Sequence, residues 1–325
     1  MIWSLFVQLG QNMWWKEHPE LDFENEAWEE ILLCAKENGI NQIILDIGEG
    51  YEYKSHPELT RKGAWSYERV KAELKRCREL GIELIPKINF SATHHLWLGE
   101  YRRMMSTSVY YKVCRELIEE IADVFEKPSH IHLGMDEEGD AQFFNNLDMV
   151  HYRQTELLMH DLRYLMDVVR SCGCKPMIWA DPCMYTPEAF RKYVAPGEIV
   201  LNPWFFFAVR REHWTPVKSK QRYMESNEGK SGLIEYMEEA HIWQTFMREG
   251  IIAANDGYET MPCCSTWGEC EYCFDDVVEY FMNSCKKENI YGFMTAPWKH
   301  TNKNGIAEIK ENIERLAKAR DKFCK

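Results

Sequence analysis

The chain has 325 residues, a length that a (β/α)₈ barrel can reach as one unit, so a second domain is not required. Its 45% hydrophobic and 28% charged residues are typical of a soluble globular protein, and no apolar run approaches the ~20 residues that span a bilayer. A formal net charge of −13 would repel a phosphate backbone. These figures argue against a membrane protein and against a nucleic-acid partner.

The start of the chain and its cysteines bear on the cellular compartment. Residues 1–9 lack a basic start and a small-residue cleavage site, so they predict a first strand rather than a signal peptide. The twelve cysteines are irregularly spaced, which favours reduced thiols over a disulfide framework. A cytoplasmic location is therefore expected.

Short apolar runs alternate with longer amphipathic runs along the whole chain. Strands are predicted at residues 2–8, 41–47, 83–89, 130–135, 176–180, 199–204, 251–255 and 291–296. Helices are predicted near residues 24–38, 67–80, 108–126, 151–171, 187–193, 233–248, 275–287 and 305–321. Continuous apolar strands without a glycine-rich phosphate loop indicate a parallel sheet covered on both faces. The sequence thus predicts an α/β protein, a single (β/α)₈ TIM barrel forming one catalytic domain over residues 1–325, with residues 205–231 as a long surface loop.

Polar and aromatic side chains cluster just after the predicted strands, where barrel enzymes place their active sites. Flat indoles stack on the C–H faces of sugar rings, while charged and amide groups bind the hydroxyls at the ring edge. This combination predicts a carbohydrate substrate. The candidate site residues are Asp46, His94, His95, Asp136, Glu137, Trp179, Trp204, Tyr258, Trp267 and Trp298.

Asp136 and Glu137 are the candidate catalytic residues. Glycosidic cleavage needs a carboxylic acid to protonate the leaving oxygen and a second group to stabilise the oxocarbenium-like centre. An Asp-Glu pair can instead simply complement a helix dipole. The preceding strand contains His130 and His132, and such buried polar residues need a compensating network, which favours the catalytic interpretation.

Three segments carry recognisable motifs. They are His-Pro-Glu-Leu-Thr-Arg-Lys-Gly-Ala at residues 56–64, Gly-Ile-Glu-Leu-Ile-Pro-Lys-Ile-Asn at 81–89 and His-Leu-Gly-Met-Asp-Glu at 132–137. Together they resemble glycoside hydrolase family 20, the β-N-acetylhexosaminidases. The last segment is similar to the family's His-x-Gly-Gly-Asp-Glu, with one glycine replaced. The order and spacing agree over roughly residues 40–140, with weaker similarity at Trp179, Trp204 and Trp298.

The resemblance implies a retaining glycoside hydrolase that releases terminal β-linked N-acetylglucosamine or N-acetylgalactosamine by substrate-assisted catalysis. It implies that Glu137 is the general acid and base, and that Asp136 orients the substrate's acetamido group to attack C1. The tryptophans at 179, 204 and 298 would line the pocket. Neither a metal nor another cofactor is expected, and the partner is a glycan or amino-sugar glycoside.

The departures from the family concern sugar recognition. Gln11 and Asn12 follow strand one where the family has an arginine, Lys87 and Asn89 replace two acids on strand three, and Lys299 replaces an acid after strand eight. The sequence therefore leaves the C4 epimer open, and a sulfated sugar or linked glycan is as plausible as a terminal N-acetylglucosamine.

Other interpretations of the same residues stay open at the level of sequence. Thiolates at Cys263, Cys264, Cys270 and Cys273 could hold a metal or an iron–sulfur cluster, and His94, His95, His130 and His132 could hold zinc. A two-carboxylate hydrolase would pair Glu137 or Glu138 with Asp46, Asp181 or Asp256 and would not need an acetamido group. A non-catalytic carbohydrate-binding barrel would retain the aromatic residues alone.

Overall fold

A single parallel β-sheet organises the part of the chain that the computed structural model describes, namely residues 1–13, 17–138, 153, 155–206 and 247–324. Nine strands form this sheet, and they lie side by side in the order β7-β6-β5-β4-β3-β2-β1-β9-β8. The strands are β1 (Ile2–Gln8), β2 (Gln42–Asp46), β3 (Glu83–Lys87), β4 (His130–His132), β5 (Lys175–Trp179), β6 (Val200–Asn202), β7 (Glu259–Thr260), β8 (Cys263–Cys264) and β9 (Gly292–Thr295).

The sheet is strongly curled, as in an α/β barrel. All its strand pairs are parallel, so the carboxyl ends of all strands meet at one edge. Residues 259–264 link the two ends of the sheet, because they contain both end strands, β7 and β8. The Met261 N–H donates to the Leu201 carbonyl at 2.8 Å, whereas the Pro262 carbonyl accepts from the Met294 N–H at 2.9 Å. This segment therefore hydrogen-bonds to residues of β6 on one side and of β9 on the other.

Helices follow most of the strands and pack on the outside of the sheet. They are α1 (Asn25–Glu37), α2 (Tyr67–Glu79), α3 (Ser108–Val124), α4 (Thr155–Ser171), α5 (Asp181–Tyr185), α6 (Pro187–Tyr193), α7 (Cys273–Ser284) and α8 (Ile306–Phe323), with residues 247–255 also helical and short 3₁₀ helices at Pro57–Leu59, Leu96–Met104 and Lys287–Asn289. Ser66 begins α2 by accepting a hydrogen bond from the Arg69 N–H at 3.2 Å. Gly81, at φ +76°, lies in the left-handed conformation that ends this helix before β3.

Two apolar layers follow from the alternation of side chains along the strands. One layer lies between sheet and helices. The other fills the concave side of the sheet, where Phe6 lies opposite Ile44 and Ile44 opposite Ile85 in the strand register. Trp179 belongs to this inner layer, which forms the floor beneath the carboxyl ends of the strands. No helix among the described residues is long and apolar enough to cross a membrane.

The predicted elements agree with the structure except near strand seven. The run 251–255 was expected to be a strand, but residues 247–255 are helical and the strand is Glu259–Thr260. A short apolar run fits a buried helical turn as well as a buried strand, so this prediction was wrong. Helix α5 was not predicted. Most of the predicted helix 233–248 and of the predicted loop 205–231 lies outside the described residues.

Candidate active site

A sharp turn after β4 places the acidic pair at the carboxyl edge of the sheet. Gly134, Met135 and Glu137 all have positive φ, at +75°, +70° and +58°. A Cβ on Gly134 would overlap the side chain of Asn89, so only glycine fits there. The turn leaves Asp136 buried at 6% exposure and the Glu137 side chain 21% exposed. The two neighbouring carboxyl groups therefore have different access to solvent.

The loop after β3 holds Asp136 in place. The Asn89 side-chain amide donates to Asp136 Oδ1 at 2.8 Å. The hydroxyls of Ser91 and Thr93 both donate to the Asp136 carbonyl oxygen, the second at 3.2 Å. Because side chain and backbone are both bonded, Asp136 has little freedom to turn.

His94 comes from the same loop and lies against both acids. Its Nε2 is 3.3 Å from Glu137 Oε2 and 3.6 Å from Asp136 Oδ2. Its Nδ1 is 2.8 Å from the Thr93 hydroxyl oxygen. The structure thus brings together three of the residues selected from the sequence.

Asp181 links the acidic pair to an indole. Its Oδ1 accepts the Glu137 backbone N–H at 2.9 Å, and its Oδ2 accepts the Trp204 Nε1–H at 2.7 Å. Complete burial raises the pKa of Asp181 well above its usual value, and the nearby Asp136 carboxyl raises it further, while the two hydrogen bonds act in the opposite direction. Asp181 thereby positions both Glu137 and Trp204.

Aromatic rings form the floor and one wall of the site. The ring centroids of Trp179 and Trp298 are 5.7 Å apart, and Trp204 stacks on Phe206 at 5.2 Å. Within the described residues, the buried Nε1 atoms of Trp179 and Trp298 have no hydrogen-bond partner. Trp267 is 59% exposed, with its ring 6.1 Å from Phe206, so it lies at the rim. The tryptophans predicted from the sequence therefore meet in one aromatic cluster.

Asp46 forms a buried ion pair in which its Oδ2 lies 2.5 Å from Lys87 Nζ. Burial raises the pKa of Asp46, and the charge of Lys87 opposes that shift. The sequence marked Lys87 as a departure from the family, but it gave no sign that this lysine pairs with Asp46. Because Lys87 occupies the carboxylate, the pair suits a positioning role better than nucleophilic attack.

Glu49 holds the loop after β1. Its Oε1 accepts the backbone N–H groups of Gln11 and Asn12 at 2.7 and 3.0 Å. Burial raises the pKa of Glu49 to about 7. Its Oε2 is buried and has no partner among the described residues. The two residues at the family's arginine position are thus fixed by a carboxyl group that follows strand two but was not among the candidate site residues.

Two of the predicted site residues lie elsewhere. Tyr258 is 2% exposed, precedes β7 and donates to the Val194 carbonyl at 2.6 Å, at the amino edge of the sheet. This position does not favour the predicted role in substrate binding, which was inferred from a misplaced strand seven. His95 is buried near the charges of Arg153 and Arg102, and burial followed by these charges lowers its pKa to about 3. His95 is not one of the three potential ligands that lie together at His94, Asp136 and Glu137.

Glu138, the residue after the acidic pair, belongs to a buried ion-pair network. Glu138 accepts from Arg153 Nε at 2.9 Å and from the Ala92 N–H at 2.7 Å, and Arg153 also pairs with Asp161 at 3.1 Å. This buried network bonds both carboxylate oxygens of Glu138 to other protein groups. An acid at position 161 on the apolar face of α4 was the signal in the sequence for a buried cation.

The alternative metal clusters do not form as proposed. All twelve cysteines are free thiols, and no three of their sulfur atoms in the described chain lie within 4.8 Å of one another. His130 is at the amino edge beside Ser129, and His132 Nδ1 accepts the Gly134 N–H at 3.0 Å. Within the described residues, the one group of three potential ligands is His94, Asp136 and Glu137.

Several solved structures that share this fold are β-N-acetylhexosaminidases or a chitobiase. A β-N-acetylhexosaminidase from Bacteroides fragilis matches 98% of this chain and 65% of its own length, with TM-score 0.63 and 15% identity. The family 20 (GH20) β-N-acetylhexosaminidase from Streptomyces coelicolor matches 97% of this chain and 63% of its own, with TM-score 0.62 and 10% identity. A chitobiase from Flavobacterium johnsoniae matches 93% and 50%, with TM-score 0.57 and 15% identity.

These similarities define the fold. The chain has the α/β-barrel-like fold of glycoside hydrolases, and within that class its fold is that of the family 20 β-N-acetylhexosaminidases. It spans about half to two thirds of the length of these proteins. No protein-family model and no curated protein matches the sequence.

Proposed function

We propose that the chain is a retaining glycoside hydrolase that releases terminal β-linked N-acetylglucosamine or N-acetylgalactosamine by substrate-assisted catalysis. The observation that carries this proposal is the pair Asp136 and Glu137 at the carboxyl edge of a parallel sheet, held in unlike environments beside an aromatic cluster. The fold shared with family 20 enzymes supports it, and so do the motifs at residues 56–64, 81–89 and 132–137.

Glu137 has the position that a proton donor needs. Its side chain is partly exposed, so it can reach a glycosidic oxygen, and its backbone is fixed by Asp181. In the first step Glu137 protonates the leaving oxygen. In the second step the resulting carboxylate removes a proton from the attacking water.

Asp136 acts on the acetamido group of the substrate. Its Oδ1 is bonded to Asn89, while Oδ2 lies on the side of His94 and Glu137. Asp136 accepts the substrate's acetamido N–H, and this orients the acetamido carbonyl oxygen to attack C1 and form an oxazolinium ion. No protein nucleophile is then required, in keeping with the carboxyl groups of Asp46 and Asp181 being engaged by other protein groups.

The aromatic cluster binds the sugar. The indole faces of Trp179, Trp204 and Trp298 stack on the C–H surface of the ring and enclose the acetamido methyl. The unpartnered Nε1 groups of Trp179 and Trp298 supply donors for substrate oxygens. Trp267 extends this surface at the rim.

We further propose that the sheet closes as a (β/α)₈ barrel in one catalytic domain. Residues 259–264 then count as a single strand, interrupted at Met261 and Pro262, between β6 and β9. The hydrogen bonds on both sides of this segment support that closure.

The test uses aryl β-N-acetylglucosaminide and β-N-acetylgalactosaminide substrates with matched variants. Glu137→Gln keeps the shape but cannot give a proton, so we expect hydrolysis to be abolished. Glu259→Gln, which loses an ion pair with Lys175 at the amino edge, should keep wild-type turnover. A thiazoline mimic of the oxazolinium ion should inhibit competitively. Wild-type turnover in Glu137→Gln would contradict the assignment.

A further inference from the structure

Two carboxyl groups approach the same nitrogen of His94. The distances from Nε2 are 3.3 Å to Glu137 Oε2 and 3.6 Å to Asp136 Oδ2, and all three atoms lie within 4.8 Å of one another. Ligands ~2.0–2.2 Å from a tetrahedral zinc ion lie roughly 3.3–3.6 Å apart. The two distances from His94 Nε2 already have that length. The third distance, between the two carboxylate oxygens, is at most 4.8 Å, and the partly exposed Glu137 side chain can move to adjust it.

A second histidine with two acids shows why this arrangement differs. His56 Nδ1 is 3.0 Å from Glu58 and its Nε2 is 3.1 Å from Glu116. The two carboxylates therefore bond to different ring nitrogens on opposite sides of the imidazole. No single point lies within coordination distance of all three groups, so His56 forms an ion-pair bridge and not a chelate.

The far side of the His94 ring has the partner that a metal-bound histidine needs. Nδ1 lies 2.8 Å from the Thr93 hydroxyl, which in turn donates to the Asp136 carbonyl oxygen at 3.2 Å. With the Thr93 proton directed to that carbonyl, the hydroxyl oxygen accepts from Nδ1–H and Nε2 keeps its lone pair. An outer hydrogen bond of this kind orients a ligating histidine and raises its basicity.

We propose that His94, Asp136 and Glu137 bind a divalent transition ion of the zinc class, and that this ion reversibly inhibits the enzyme. One nitrogen and two carboxylate oxygens suit zinc, with a fourth position open to water. The inhibitory part rests on the proposed function. A bound ion holds Glu137 as a carboxylate, so that residue can no longer protonate the leaving oxygen, and it occupies the Asp136 oxygen that the acetamido group needs.

Calorimetric titration of the metal-free full chain with zinc chloride tests the site without any need for turnover. We expect one ion per chain in the wild type. His94→Gln should weaken binding by at least about 100-fold, and Thr93→Val, which removes the outer hydrogen bond, by about 10-fold or more. His56→Gln is the matched control because it also removes a histidine beside two acids, and it should bind zinc as the wild type does.

Two further measurements keep the outcome clear. Near-ultraviolet circular dichroism shows whether each variant is folded, and cobalt substitution shows whether thiolates bind the ion, because cobalt–thiolate sites have strong charge-transfer absorption. Equal zinc affinity in wild type and His94→Gln, or a cobalt spectrum with thiolate ligation, would overturn the proposal.

The effect on turnover separates this inference from the proposed function. Zinc near its calorimetric dissociation constant should double the apparent KM for an aryl N-acetylhexosaminide without changing kcat, and a chelator should restore the original KM. Hydrolysis that zinc at this concentration does not slow would overturn the inhibitory role and leave the proposed function standing. His94-dependent zinc binding by a chain that hydrolyses no such substrate would support the site and count against the proposed function alone.

Discussion

The two edges of the sheet use polar residues in different ways. At the amino edge, Glu83 accepts from Gln42 at 3.0 Å and from the Ser129 N–H at 3.2 Å, and Tyr258 donates to Val194. Gln42 Oε1 and His130 Nε2 are also buried there without a partner in the described chain, but they lie away from the acidic pair and the aromatic cluster. At the carboxyl edge, Asp181 is buried with a raised pKa, and two indole N–H groups are buried without a partner in the described chain.

This difference separates residues that stabilise the fold from residues that are available to a ligand. Hydrogen bonds made entirely within the protein contribute to folding and leave little for a substrate to bind. Buried groups with unmet hydrogen bonds or displaced pKa values lower stability and gain partners when a ligand arrives. We therefore expect substitutions at Asp136, Glu137 and Asp181 to change activity. Substitutions at Tyr258, and at Glu49, which holds backbone N–H groups of the protein itself, should change stability.

After the loss of hydrolysis expected for Glu137→Gln, the next largest effect is expected for Asp136→Asn. The amide cannot accept the acetamido N–H through the atom that replaces Oδ2, so the substrate's nucleophile loses its orientation. We expect kcat to fall by about 10³-fold, equivalent to about 4 kcal/mol. Turnover of an aryl N-acetylhexosaminide measures the loss, and thermal unfolding shows that the variant is folded. Wild-type kcat in a folded variant would contradict the role of Asp136.

Glu49→Gln tests a carboxyl group whose effect is on stability. Burial raises the pKa of Glu49 from 4.5 to about 7, so the folded state holds its proton more tightly than the unfolded chain does. Wild-type stability should therefore fall as pH rises from about 4.5 to about 7, by about 3 kcal/mol from this residue alone. Glutamine cannot ionise, so the free energy of unfolding of Glu49→Gln should not fall in this way between pH 4.5 and 7.

Urea unfolding at a series of pH values between 4.5 and 8 measures the Glu49 contribution. Glu52→Gln, at an exposed position on the same loop, is the control and should follow the wild type. The same pH dependence of stability in Glu49→Gln and in the wild type would contradict the raised pKa of Glu49.

Asp181→Asn is expected to have a moderate effect. The amide can accept from the Glu137 N–H or from Trp204 Nε1, but its NH₂ group faces the other donor, so one hydrogen bond is lost. Such a loss costs about 1–3 kcal/mol, which predicts a fall of about 5- to 150-fold in kcat/KM. Unchanged kcat/KM would show that Asp181 does not position these two residues.

The smallest effect is expected for Tyr258→Phe at the amino edge. It removes the hydrogen bond to the Val194 carbonyl, so we expect a loss of about 1 kcal/mol in the free energy of unfolding. Urea unfolding measures this loss, and kcat/KM should equal that of the wild type. A raised KM would instead indicate that Tyr258 takes part in substrate binding.

Much of the fold could be predicted from the sequence because its signals are local. Continuous apolar runs predicted β1, β2 and β3. The helical spacing of apolar residues predicted α2 to within one residue of its observed end. Strand seven could not be found in this way. Its residues are polar or cysteine and are interrupted by Pro262, whereas the stronger apolar run at 251–255 belongs to a helix.

The candidate site could be predicted where a motif marked it and not where it depends on long-range contacts. The Asp136-Glu137 pair and the tryptophans follow strand ends, so their spacing marked them as candidates. The bonds of Asp181 to Glu137 and Trp204 join residues 44 and 23 positions apart. Nothing in the local sequence encodes such pairs, and the same applies to Lys87 with Asp46.

The most direct test of the central claim compares kcat/KM for aryl β-glycosides that differ only at C2. If Asp136 directs the substrate's acetamido group, the 2-acetamido glycoside should be favoured over the 2-hydroxy glycoside by at least about 10³-fold, because an oriented internal nucleophile has a high effective concentration. The preference should persist in the presence of a chelator. Equal or faster hydrolysis of the plain β-glucoside or β-galactoside would contradict substrate-assisted catalysis at Asp136 and Glu137.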